Sequence, residues 1–104
     1  MSTVTLDEAL RIVGKWLLPY QTEPFVVSDA FAMQVLRKLT IERVHVSFHP
    51  TEAGRAVLCA LTPQYGSKIH GSAVADDPRD AIILAAGMWL SATRASRQSP
   101  VSVP

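Results

Sequence analysis

Charge is what this sequence has least of. Only 18% of its 104 residues are Asp, Glu, Lys or Arg, where a soluble domain ordinarily carries about 25%. A chain this short buries only roughly 60–70% of its extended surface and should need charged side chains to cover the outside. The shortage implies that part of the apparent outside is covered. Neither sign dominates: ten Lys and Arg stand against nine Asp and Glu, a net charge of +1, which removes the general attraction that non-specific binding to nucleic acid or anionic lipid requires. The single cysteine, Cys59, permits neither an internal disulfide nor a multi-cysteine zinc site, and agrees with a reducing compartment. The opening MSTVTLDEAL has no basic segment followed by an apolar run, so no secretory signal is visible and the expected location is cytoplasmic. Repeats, linkers and compositional breaks are also missing between residues 3 and 95. Since independent cores usually need ~100–200 residues each, residues 1–95 are read as one domain. Residues 96–104 are read as a polar, proline-punctuated tail that need not be ordered.

What is present is a series of start and stop signals. Thr5-Leu6-Asp7-Glu8 has the form of a capping box, and Leu6, Leu10, Val13 and Leu17, widened by Ile12 and Trp16, recur at helical spacing until Pro19. Ser28 or Asp29 can cap a second helix whose apolar face is Phe31, Val35, Leu36 and Leu39. At residues 43–49 the period changes to two, predicting a half-buried strand with Val44, Val46 and Phe48 toward the core. Residues 55–61 are almost wholly apolar, the pattern of a central strand covered on both faces. The turn Pro63-Gln64-Tyr65-Gly66 leads to a third strand at about residues 68–75. Asp77-Pro78-Arg79-Asp80 then opens a third helix, with an N-cap aspartate, proline at the first position and a carboxylate in the first turn.

The expected fold is α+β, an αα-βββ-α sandwich in which helices pack with a three-stranded antiparallel meander. Residues 81–93 of the third helix carry no charged side chain, and a helix that is apolar nearly all round is buried. Thirteen residues span roughly 20 Å, short of a ~30 Å hydrocarbon layer, so a membrane is excluded. Two expectations remain for this helix. It is sandwiched inside its own subunit, or it packs on a second copy through Ala85, Ala86 and Gly87, with Met88 and Trp89 beside them; together with the low total charge, the uncharged helix makes a homo-oligomer the expected state.

The segments SDAFAMQVLRKL, VHVSFHP, GRAVLCAL and DDPRDAIILAAGMWL together resemble a small phage-encoded family, the phage ABA sandwich domain. In that family a helix, a meander and a final alanine-rich helix close the domain. The resemblance covers about two thirds of the chain and implies a phage or prophage accessory protein in the cytoplasm of a bacterial host cell. It implies no particular activity. The order helix, three strands, helix is also similar to the double-stranded RNA binding domain, whose final helix opens with lysines that grip phosphates. Here the corresponding opening, Asp76 to Asp80, carries three carboxylates and one arginine, which reverses the charge and disfavours nucleic acid.

Candidate chemistry is sparse, and no enzyme signature, cofactor motif or metal set stands out. His45 and His49 share one face of a strand but lie four residues, roughly 13 Å, apart, too far to meet on one ion. Cys59 sits in an apolar run where burial would raise its pKa and silence it. Ser67 and Ser72 have no nucleophile elbow, Gly66-Ser67-Lys68 lacks the rest of a phosphate loop, and capping accounts for Asp77 and Asp80. One constellation reads as a binding surface. Arg43, His45, Ser47 and His49 alternate on the first strand, and Lys68, His70 and Ser72 alternate on the third. If the two faces coincide, cations, imidazoles and hydroxyls line one sheet face, with Arg55, Tyr20 and Tyr65 in nearby loops. Such a set suits a phosphate-bearing or nucleotide-like small molecule, while a solvated sheet face would alternate in the same way. A module that docks on a host or virion protein through exposed apolar surface is the competing expectation.

Overall fold

Each helix starts where a side-chain oxygen meets a backbone N–H that has no partner within the helix. Thr5 Oγ1 accepts from the Glu8 N–H (3.2 Å) at the head of α1, Leu6–Leu17. Ser28 Oγ accepts from the Phe31 N–H (3.1 Å) at the head of α2, Asp29–Ile41, which settles the choice between Ser28 and Asp29 as cap. Asp77 Oδ1 accepts from the Arg79 N–H (2.9 Å) at the head of α3, Pro78–Gln98. The computed structural model describes residues 4–22, 24–51, 56–64 and 70–98, with side chains to residue 93. Between α2 and α3 lie β1 Val44–Pro50, β2 Val57–Pro63 and β3 Gly71–Ala75, an antiparallel sheet in the order β1-β2-β3. The architecture is therefore the expected α+β arrangement of helices packed on a three-stranded meander. Helix α3 runs to Gln98, so residues 96–98 of the expected tail continue the helix.

Helix α3 is the centre of the molecule. It packs against β2 and β3 on one side and α1 on the other, while α2 packs against α3 and β1. Ala81, Ile83, Ala85 and Ala86 are fully buried there, with Ile82 nearly so. Small residues make this three-layer stack possible by letting backbones approach. A Cβ on Gly71 would stand 2.6 Å from the Ala85 carbonyl oxygen and 2.9 Å from the Trp89 Cβ, and one on Gly87 would stand 2.7 Å from the Ala9 Cβ. Both positions have room only for hydrogen. The uncharged helix is thus sandwiched within its own subunit: of the residues expected as a contact with a second copy, Ala85 lies against Gly71 of the sheet, Gly87 lies against Ala9 of α1, and Ala86 is fully buried. Trp89 is half-buried against this core, and Met88 is half-buried.

The buried face of α1 shifts for the same reason. Ala9, Val13 and Gly14 are its buried residues, whereas Leu6, Leu10 and Leu17 of the expected stripe are only partly covered. Large side chains would hold α3 away. Trp16 instead meets Trp89 edge-on, with centroids 6.2 Å apart at 79°, and Lys38 Nζ lies 5.1 Å over the Trp16 ring. Arg79 ties the helix heads together, bonding Asp77 (2.8 Å) and Asp29 of α2 (3.2 Å). The Arg79 hydrogen bonds, side chain first and backbone second, hold the Asp77 carboxyl below the usual carboxylate range. Among the described residues no helix is long and apolar enough to cross a membrane.

Candidate ligand-binding surface

The register of the sheet decides which side chains share a face. His45 pairs with Thr62, Ser47 with Ala60 and His49 with Leu58 across β1 and β2. Ala60 pairs in turn with Ser72, and Leu58 with Val74, across β2 and β3. Because side chains alternate across a strand, His45, Ser47, His49, Leu58, Ala60, Thr62, Ser72 and Val74 form one face. Val44, Val46, Cys59, Leu61, Gly71 and Ala73 form the other, against the helices. Of the two expected polar rows, His45, Ser47 and His49 of β1 and Ser72 of β3 therefore share a face, on the side opposite the helices, about 10 Å apart at two strand spacings.

The central strand is covered on one face only, which corrects the expectation that an almost wholly apolar β2 is covered on both. Leu61 and Cys59 are buried, but Leu58 and Ala60 remain partly exposed and Val74 is 53% exposed. The open face is consequently polar along β1, at Thr62 and at Ser72, and apolar at Leu58, Ala60 and Val74. Phe48 is a second correction: it lies on the inner side as its parity requires, yet is 44% exposed. Burial fades along β1 from Val44 through Val46 to Phe48.

Not every residue of the expected constellation reaches this face. His45, Ser47 and His49 do, and His49 Nε2 lies 3.1 Å from Ser47 Oγ, so neighbours in the row orient each other. Arg43 precedes β1 rather than belonging to it. Its left-handed backbone (φ 61°) closes the turn from α2, its N–H bonds the Thr40 carbonyl, and its side chain is exposed at the rim. His70 is exposed immediately before β3. Tyr20, 98% exposed, follows α1 on a different part of the chain. Arg55, Tyr65, Lys68 and Ser67 lie outside the described residues. Thr62 was missing from the sequence reading. Its signal was the alternation Leu58, Ala60, Thr62, obscured by the apolar residues between them.

Chemically the face offers hydroxyls from Ser47, Thr62 and Ser72 and imidazoles from His45 and His49, which can donate or accept. No carboxylate stands on it among the described residues. Cys59 turns inward, fully buried, and burial pushes its thiol up to about 11, far from a nucleophile's range. Cavities described in the structure lie elsewhere, one of about 240 Å³ beside Leu10 and Phe25 and one of about 390 Å³ beside Leu17, Arg37 and Ile41. No protein-family model matches the chain, and neither the curated proteins nor the solved structures searched contain a match.

Proposed function

We propose that this chain is a non-catalytic binding protein that holds a phosphate-bearing small ligand on the open face of its sheet. The observation that carries the reading is the register: it sets the β1 row of His45, Ser47 and His49 and the β3 residue Ser72 on one face that carries no carboxylate among the described residues. Hydroxyl and imidazole donors suit phosphate oxygens, and the strip of Leu58, Ala60 and Val74 gives a base or ribose an apolar floor. In the phage setting that the sequence resemblance implies, such a protein acts as an accessory factor that sequesters a nucleotide signal of host defence. Calorimetry and thermal shift with cyclic dinucleotides and ADP-ribose derivatives test it. Binding that weakens in His45→Ala and Ser72→Ala is expected, whereas a folded protein whose melt no member of the panel moves would count decisively against it.

A second reading rests on the exposed apolar strip itself. Val74 and the partly exposed Leu58 fit the docking of a host or virion protein as well as a nucleobase. That reading expects a stoichiometric partner whose capture is insensitive to Arg43→Ala and His45→Ala but lost in Val74→Lys.

A further inference from the structure

The two edges of this sheet differ in what they leave unpaired. Gln64 donates its N–H to the Arg43 carbonyl and Thr51 donates to the Ala56 carbonyl, each at 3.0 Å, one bond at either end of the β1–β2 ladder. Between them the register runs without a slip from Val44↔Pro63 to Pro50↔Val57. Hydrogen-bonded and non-hydrogen-bonded positions alternate in an antiparallel pair. His45, Ser47 and His49 therefore turn their backbone groups toward β2. Val44, Val46 and Phe48 aim theirs at the outer edge, where the three N–H groups meet no hydrogen-bond partner among the described residues. The same alternation leaves only Ser72 and Val74 facing outward on β3. Proteins blunt exposed edges with short strands, lysine, bulges or proline in the ladder. β3 has five residues, but β1 has seven, with no lysine, no bulge and its proline only at the end.

We propose that β1 is a self-pairing edge: a second copy of this chain joins antiparallel along it, about a two-fold axis at Val46, to make one six-stranded sheet. The strand's own sequence selects this occupant. Centring on Val46 sets Val46 against itself and Val44 against Phe48 of the second copy, and every outward N–H of β1 is then used. Pro50, which has no N–H to donate, falls outside the new ladder. Shifting the register by one hydrogen-bonded pair would set Pro50 against Val44 and leave a bond unmade. No fixed charge interrupts Val44–Pro50, so two copies meet there without lysine, arginine or carboxylate repulsion. The half-exposed Phe48 gains Val44 of the second copy as its cross-strand neighbour. Stacking two open faces instead would cover only about 300 Å² per copy, estimated from three ~4.8 Å strand spacings by ~20 Å of strand, against the ~800 Å² of a stable interface. Edge pairing draws on main-chain bonds rather than on area.

Assembly along β1 would also complete the binding surface, a consequence that rests on the ligand reading above although the pairing itself does not. The polar row moves from the rim to the middle of the enlarged face. His45 comes to stand beside Ser47 of the second copy, and Ser47 beside His45 of the second copy, at Cβ separations of about 4.5–5.5 Å. A ligand carrying two anionic groups would meet the same donors twice.

The test is light scattering after gel filtration of the full chain at high micromolar concentration, where a dimer is expected. Val46→Pro removes the central outward N–H at a position where an edge strand tolerates proline, and should raise the dissociation constant by about tenfold to a hundredfold. Phe48→Lys, an edge lysine, should act in the same direction, with circular dichroism confirming that each variant is folded. Val74→Pro makes the matching change on the β3 edge and should leave the dimer intact. A monomeric wild type, a folded Phe48→Lys that stays dimeric, or a dimer that Val74→Pro alone dissolves would overturn the proposal. Calorimetry with a cyclic dinucleotide separates the two readings: a dimer that binds none sinks the ligand and leaves the edge, and a monomer that binds one does the reverse.

Discussion

The two faces of one sheet, built from the same three strands, follow opposite rules. On the inner face space decides identity. Gly71 touches the backbone of α3, Leu61 is 1% exposed and Cys59 is sealed. On the outer face the strands mix polar and apolar side chains, His45, Ser47, His49, Thr62 and Ser72 with Leu58, Ala60 and Val74, and none of these is buried. The difference teaches that low charge has two causes here. Part of it is a helix buried by its own subunit, and part is a strip of exposed sheet that keeps its apolar residues without cover.

The comparison breaks most sharply under one substitution made on both sides. Ala86→Glu buries an unpaired carboxylate at a position of α3 that is fully buried, and should cost about 3–5 kcal/mol, a large part of the stability of a domain worth ~5–15 kcal/mol. Ala60→Glu makes the same chemical change on the open face and should cost no more than about 1 kcal/mol. Chemical denaturation of the two variants measures the gap. Equal losses would mean that something covers the open face.

A smaller effect separates two leucines on a single strand. Leu61→Ala removes a fully packed side chain and should cost about 2–5 kcal/mol, since the cavity cannot collapse against α3. Leu58→Ala, three residues earlier on the partly exposed side, should cost about 1 kcal/mol or less. Dimer formation along β1 would not change this ranking, because both leucines belong to β2.

Much of this fold is legible in the sequence because its signals are local. Thr5, Ser28 and Asp77 mark helix starts by the chemistry of a single oxygen, and the alternation of residues 43–49 marks a strand by period alone. What sequence could not supply is which face has company. A run such as Val57 to Leu61 reads identically whether one side or both are covered, since Leu58 and Ala60 are as apolar as Val57 and Cys59. The same blindness hid the role of α3: Ala85, Ala86 and Gly87 are equally suited to a close contact inside the subunit and to one between subunits, and only the placement of α1 and Gly71 distinguishes them. For the binding surface, the two polar rows were visible as periodicities, while the sharing of one face by the β1 row and Ser72 depended on a register that sequence does not fix.

Acid should loosen the inner packing from its helix starts. Asp77 titrates below its ordinary value because Arg79 bonds its carboxylate, so the folded pKa lies under the unfolded one. Its contribution to stability is therefore fully present above the unfolded value and is lost as pH falls through the folded one. Asp77 is 38% exposed, which keeps the effect small. Melting curves of wild type and Asp77→Asn should converge as the pH falls through the acid range and separate toward neutrality. Curves that stay parallel throughout would show that the charge of Asp77 beside Arg79 adds nothing.

The smallest expected effect on stability is the most informative about function. Ser47→Ala and Ser72→Ala remove hydroxyls from the two margins of the open face, where neither makes a contact with the core, and each should leave the melt within about 0.5 kcal/mol of wild type. Only Ser47 has a described side-chain partner, His49 at 3.1 Å, and both are exposed enough for water to replace the bond. If the outer face is the working face, the same silent substitutions should still weaken the retention of a phosphate-bearing ligand measured by calorimetry. A hydroxyl whose loss moves the melt but not the binding would place these residues with the inner face, as structure rather than as site.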